Sequence, residues 1–122
     1  MEKQFTFTEL PVTIDSEVVT SVYLQAHHAS EPQPVALLKL ELDPEGNPGW
    51  IGPLFVVENW RSCGLGSKLL AQAFELARRA GLKTVGLSVN RKNEGAQRLY
   101  ERLGFLPYIT GQEGYKQLIK VL

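Results

Sequence analysis

The stretch LFVVENWRSCGLGSKLL, residues 54–70, passes from an apolar run through a loop with two glycines directly into a helix. Leu54–Val57 are apolar on both faces, as a central strand should be. Pro53 has no N–H for a sheet ladder, so it predicts a bulge or a strand beginning at that point. Downstream, Leu69, Ala73, Leu76, Ala77 and Ala80 recur at helical spacing, and Leu70 with Phe74 widens the stripe. Gly81 supplies the stop. The first turn of a helix carries unpaired backbone N–H groups and a partial positive charge. Gly64 and Gly66 let that backbone approach an anion closely, and Arg61 and Lys68 add positive charge nearby. The arrangement suits a phosphate or pyrophosphate.

Working outward, the N-terminal half reads as strands. Phe5 and Phe7 alternate with threonines, and Leu10-Pro11 is expected to end that strand. Val18, Thr20, Val22 and Leu24 form one face of a second. After the loop EPQP (31–34), Ala36, Leu38, Leu40 and Leu42 mark a third. The turn DPEGNPG (43–49) predicts a hairpin into the strand around Leu54–Val57. Beyond the long helix, Val85, Leu87 and Val89 predict a fifth strand. Asn93 is placed to cap a second helix with Ala96, Leu99, Tyr100 and Leu103 on one stripe, closed by Gly104. Segments 105–109 and 115–121 are expected to pair as a final hairpin. The order implies an α+β fold around a mixed, mostly antiparallel sheet of six to seven strands with two main helices. The two strands flanking the first helix should be parallel.

A chain of 122 residues, 43% hydrophobic and 21% charged, fits one domain over 1–122 with its own core. No apolar run reaches the length needed to cross a bilayer, and the first residues lack a secretory pattern. The single cysteine, Cys63, rules out an internal disulfide. These features predict a cytoplasmic protein. Two histidines and one cysteine offer little for a metal site, and His27 and His28, adjacent on a strand, point to opposite faces. Net charge is zero, which disfavours nucleic acid as a partner. The charge is nevertheless uneven. Residues 1–58 hold two basic against nine acidic side chains, whereas residues 59–102 hold nine basic against three acidic. The basic half suits an anionic ligand.

Two motifs in order and at the expected spacing resemble those of the GNAT N-acyltransferase superfamily. The first is Arg61-x-x-Gly64-x-Gly66 between an apolar strand and an amphipathic helix. The second is NEGAQRLYERLGF, with Asn93, Tyr100, Gly104 and Phe105. The resemblance covers about residues 35–121. It implies an acetyl-CoA-binding acetyltransferase whose fourth and fifth strands splay apart. Backbone groups of Phe55, Val56 and Val57 would pair with the pantetheine arm, and the Val56 N–H would hold the thioester oxygen. Backbone N–H groups of Cys63, Gly64, Leu65, Gly66, Ser67 and Lys68 would hold the pyrophosphate, with Arg61 alongside and Cys63 a spectator as a thiol. Asn93 matches the residue that reaches the pantetheine. Tyr100 matches the family's general acid, a phenol able to protonate the departing thiolate. The family fixes no base; Glu41 and Glu58 are the candidates here. Arg98 and Arg102, one helical turn apart, are further candidates for the cofactor's phosphates.

This chain departs from the family between its first two strands. Only PVTIDSE separates Leu10 from Val18, so the usual two helices have no room. The acceptor side should be open to a large amine acceptor, a protein or a polyamine, or be completed by a homodimer. The acidic half is expected to line that side and to steer a cationic amine through Glu41, Glu45 and Glu58. The leading expectation is direct attack of a primary amine on acetyl-CoA. The alternative is a non-catalytic acyl-CoA-binding module that regulates a partner protein. A phosphate-loop domain unrelated to coenzyme A is a third reading, weakened because GLGSK does not complete the nucleotide-triphosphatase signature.

Overall fold

The computed structural model describes residues 4–14, 18–42, 48–110 and 114–122. Seven strands, β1 (Phe5–Ile14), β2 (Val18–His28), β3 (Ala36–Glu41), β4 (Gly49–Val56), β5 (Thr84–Asn90), β6 (Leu106–Thr110) and β7 (Tyr115–Val121), form one sheet ordered β1-β2-β3-β4-β5-β7-β6. Every neighbouring pair is antiparallel except β4 and β5, which are parallel as predicted. Helix α1 (Leu65–Arg79) connects β4 to β5, and α2 (Glu94–Arg102) connects β5 to β6. The final hairpin forms, but β7 inserts between β5 and β6. The turn 43–47 lies outside the described residues, although the two strands it joins pair as a hairpin.

The period-2 pattern places Val22, Leu24, Ala26, Ala36, Leu38, Leu40, Ile51, Val85, Leu87, Val89 and Leu118 on one face of the sheet, all buried. Against them α1 buries Leu65, Leu69, Leu70, Ala73, Phe74 and Ala77. Ala80, expected on that stripe, is instead the exposed C-cap. Helix α2 buries no residue fully; its apolar side leans on the core through Tyr100, whose ring meets Phe105 edge-on at 5.7 Å, and Phe105 in turn meets Phe74 at 5.9 Å. Both helices therefore occupy one side. The other face carries Leu10, Phe55, Leu106, Tyr115 and Val121, all exposed, and the Trp50 ring lies over Gly86, whose missing Cβ would otherwise meet it at 2.7 Å. A flat aromatic ring thus covers the middle of a face that no helix covers among the described residues.

Two readings of the strands are corrected. β1 does not stop at Leu10-Pro11 but runs to Ile14, with Pro11 paired to Val22. This strand forms an edge of the sheet, where a proline without an N–H is tolerated. And β4 begins at Gly49, not near Leu54, so Pro53 falls in its middle. There Leu38 pairs with Leu54 but Leu40 with Ile51, so β4 carries one extra residue at Gly52–Pro53. That is the bulge the proline foretold.

Candidate active site

Parallel pairing of β4 with β5 covers only Gly49–Val85, Trp50–Gly86 and Ile51–Leu87. Beyond Ile51 the two strands separate while β4 continues to Val56 beside β3. Residues Leu54–Val57, predicted as a strand covered on both faces, accordingly border a gap, and the Phe55 side chain is 56% exposed. The direction of the Val56 peptide groups follows from the ladder. The Val57 N–H donates to the Val35 carbonyl at 2.9 Å, so the Val56 carbonyl, across the same planar peptide, points away from β3. In an extended residue N–H and C=O share a side, so the Val56 N–H also faces the gap. Phe55, opposite Leu37, directs its polar groups to β3. Of the three backbone positions singled out in the sequence, Val56 alone offers its amide to the gap.

After β4 the chain makes a short 3₁₀ turn, Glu58–Trp60, and reaches Arg61, which is held at three atoms. Its N–H donates to the Glu58 carbonyl at 3.2 Å, its carbonyl accepts from Cys63 Sγ at 3.8 Å, and its side-chain Nε donates to the Val56 carbonyl at 3.0 Å. Ser62 then has φ of 65° and Gly64 φ of 77°. The left-handed region is costly for most side chains and free for glycine, which explains the glycine at 64. Gly64 is the N-cap of α1, and no side chain caps the helix. Its carbonyl accepts the first intrahelical bond, from the Lys68 N–H at 3.2 Å. The amides of Leu65, Gly66 and Ser67 thus lack intrahelical partners, while the Lys68 amide, expected in the anion site, is engaged by the helix itself. Gly66 answers a different need: a Cβ there would stand 2.9 Å from Leu54 Cδ2 on β4.

Helix α2 starts where β5 ends, and Asn93 Oδ1 accepts from the Ala96 N–H at 3.1 Å. The capping role read from the sequence is fulfilled, and the carbonyl end of the Asn93 side chain is occupied by it. Tyr100 is half-buried on the core side of α2, and burial pushes its phenol above the ordinary tyrosine value, so it stays protonated at neutral pH. Arg98 and Arg102 are exposed on the same helix.

The candidate bases separate clearly. Glu41 pairs with Trp50, whereas the gap is at Ala36–Val56. Five residues of strand, roughly 17 Å, lie between them, and Glu41 is ion-paired with Lys39 at 3.3 Å. Glu58 is exposed and two residues beyond Val56. The strand ends at Ile14, Val18, Glu41 and Gly49 all lie at the opposite end from Val56 and Asn90. Of the three carboxylates expected to steer an amine, Glu41 is at the far end, Glu45 is outside the described residues, and Glu58 is near Val56. His27 and His28 do diverge. His27 Nε2 meets Thr8 Oγ1 at 2.9 Å, while His28 Nδ1 accepts from the Ser30 N–H at 3.1 Å. The His28 ring lies 4.5 Å from Trp60 and 5.6 Å from Phe5, an aromatic brace for the turn that carries Glu58, which the sequence did not reveal. Two open clefts, about 410 and 290 Å³, lie between β1 and the second half of α1, divided by the Arg79–Glu9 ion pair at 2.8 Å. Their lining residues include neither the residues of the helix start nor Val56.

Comparison with known proteins agrees with this fold. In sequence the chain is 31% identical over 75 residues to an N-alpha-acetyltransferase, MAK3, of Arabidopsis thaliana, covering 56% of this chain and 40% of that protein. The chain spans 20 to 40% of the length of the curated relatives it matches. In structure it is similar to a Klebsiella pneumoniae chain described as an acyl-CoA N-acyltransferase, with a TM-score of 0.81 at 20% identity, covering 97% of each chain. A GNAT family acetyltransferase of Elizabethkingia anophelis with acetyl-CoA bound gives a TM-score of 0.74 at 15% identity, covering 95% of this chain and 98% of that one. Both are likenesses of fold, and the first shows that a chain of this compact size adopts it. The model of the acetyltransferase (GNAT) family matches residues 4–105, which include the parted strands, the uncapped helix start and Tyr100, and on that match this chain belongs to the GNAT family.

Proposed function

We propose that this chain is an acetyl-CoA-dependent N-acetyltransferase acting on a primary amine. The observation that carries the reading is the pairing of β4 with β5 ending at Ile51–Leu87, with the Val56 N–H facing the gap beside an uncapped helix start. An extended pantetheine arm fits such a gap as an added strand. The amides of Leu65, Gly66 and Ser67, with the Lys68 side chain, are the groups that would hold the diphosphate. The amine nitrogen attacks the thioester carbon, and the carbonyl oxygen takes the electron pair while the Val56 N–H stabilises it. The C–S bond then breaks, the sulfur leaves with its electron pair, and Tyr100 supplies the proton. Glu58, directly or through water, takes the proton lost by the amine. No covalent enzyme intermediate is needed.

Among the described residues no helix lies between β1 and β2, and an acceptor side without such a wall suits a protein terminus, a lysine or a polyamine. The same openness supports the second reading, an acyl-CoA-binding module that acts on a partner. Thiol release from acetyl-CoA across a panel of amines and peptides separates them. Turnover, with kcat reduced about 100-fold in Tyr100→Phe and CoA affinity unchanged, is expected of the enzyme. Thermal stabilisation by acetyl-CoA without turnover on any acceptor would favour the module. Stabilisation by ATP but not by acetyl-CoA would overturn both.

A further inference from the structure

We propose that Arg61 is a positioning residue for the oxyanion amide, and that it couples the diphosphate loop to the acyl end of the site. This inference rests on the acetyltransferase reading above and assigns a residue that the reading leaves unused. The Val56–Val57 peptide is one rigid plane held at both edges. Its N–H is bonded to the Val35 carbonyl at 2.9 Å and its carbonyl to Arg61 Nε at 3.0 Å. The first bond ties the plane to β3. The second reaches it from the loop that leads into α1. With both in place the Val56 carbonyl has a fixed direction, and the Val56 N–H on the same side of the strand shares it. Removing the guanidinium frees one edge of the plane on the side where β5 has already departed.

The remaining contacts of Arg61 show why it can act as a strut. Its backbone is fastened to the Glu58 carbonyl and receives the Cys63 thiol, so the residue is fixed at its base before the side chain reaches back. Two residues on, Gly64 begins α1. A diphosphate settling on the Leu65–Ser67 amides therefore sits on the same short loop that orients the amide at the other end of the ligand. Displacements of about 1 Å at a reacting centre cost on the order of 100-fold in rate, so a strut of this kind is expected to appear in kcat rather than in affinity. The bare alternative, a cation that attracts the diphosphate, predicts the opposite split.

The experiment compares Arg61→Ala and Arg61→Gln with the parent chain on two acetyl donors, acetyl-CoA and S-acetylpantetheine, which lacks the diphosphate. Glutamine keeps an N–H donor able to reach the same carbonyl but carries no charge. Arg61→Ala is expected to lower kcat roughly 10- to 100-fold with both donors, with CoA affinity changed less than about threefold, and Arg61→Gln to recover most of the loss. A penalty that vanishes with S-acetylpantetheine, or a loss of CoA affinity as large as the loss of kcat/KM, makes Arg61 a diphosphate contact and overturns the proposal. Amide hydrogen exchange in the ligand-free protein provides a readout independent of turnover. Exchange at Val57 should quicken about tenfold in Arg61→Ala and return in Arg61→Gln, with Leu87 unchanged in both. Unaltered exchange at Val57 overturns the positioning role even if activity falls. If the parent chain transfers acetyl from neither donor, the acetyltransferase reading fails, and the exchange data still decide whether Arg61 holds the plane.

Discussion

Helices α1 and α2 both begin at the end of the sheet where β4 and β5 stop, yet they begin in opposite ways. At α2 the Asn93 side chain closes the first turn by accepting from Ala96. At α1 the cap is Gly64, which has no side chain, and the amides of Leu65, Gly66 and Ser67 find no partner within the helix. A cap contributes about 1 kcal/mol to a helix, so a helix start without one forgoes stability that a serine or aspartate would supply. The difference separates a terminus closed by its own side chain from one left open where the proposed diphosphate would sit.

The comparison is broken most severely by giving α1 the kind of cap that α2 has. Gly64→Asp places a carboxylate at the cap in open space, at a φ that aspartate tolerates better than most residues. Its charge and its acceptors compete for the same amides. CoA affinity measured by calorimetry is expected to fall about 100-fold or more, while the far-ultraviolet spectrum stays that of the folded chain. The converse change strips the cap from α2. Asn93→Ala should cost about 1 kcal/mol, some 4 °C in melting temperature, and Asn93→Asp should restore it. If Asn93 also reaches the pantetheine, the aspartate variant recovers stability but not the KM for acetyl-CoA; if capping is its whole role, both recover.

A third measurement concerns what α2 carries into the core. With its phenol raised by burial, Tyr100 should ionise above the ordinary tyrosine value, and Tyr100→Phe should remove a step at that high pH from an absorbance titration. The sign for stability follows. Above about pH 10 the unfolded chain releases this proton before the folded one does, so its contribution to stability is present below that pH and is lost as pH rises further. The smallest effect is expected at Gly66→Ala. Gain in helix propensity opposes a contact with the Leu54 methyl, a flexible side-chain end, and stability should move by no more than about 0.5 kcal/mol in either direction.

Much of this could be read from the chain alone, for a physical reason. The inward stripes of β2, β3, β5 and α1 are local patterns of period 2 and 3.6, and the cap at Asn93 and the bulge near Pro53 are each set by one residue's chemistry. The run of β1 through Pro11 was not legible, because only the sheet order reveals that this strand is an edge. The remoteness of Glu41 depends on register, and the engagement of the Lys68 amide depends on where α1 begins. The hydrogen bond from Arg61 to Val56 spans five residues that turn back on themselves, and no periodicity announces it. In the sequence that side chain shows only its charge and its place in the glycine motif.

The additional residue at Gly52–Pro53 has a further consequence. Ahead of it, Trp50 lies opposite Glu41 and even-numbered positions of β4 direct their polar groups toward β3; past it, odd-numbered positions do so. Were both residues kept and the ladder run on from Leu40–Ile51 one residue against one, without the bulge, Val56 would fall opposite Val35 and spend its N–H on that carbonyl, while Phe55 would turn inward. The acyl-transfer chemistry proposed above thus hangs on a parity: one step of the ladder in which two residues face one, early in a strand, decides whether the Val56 donor looks into the opening or into its neighbour.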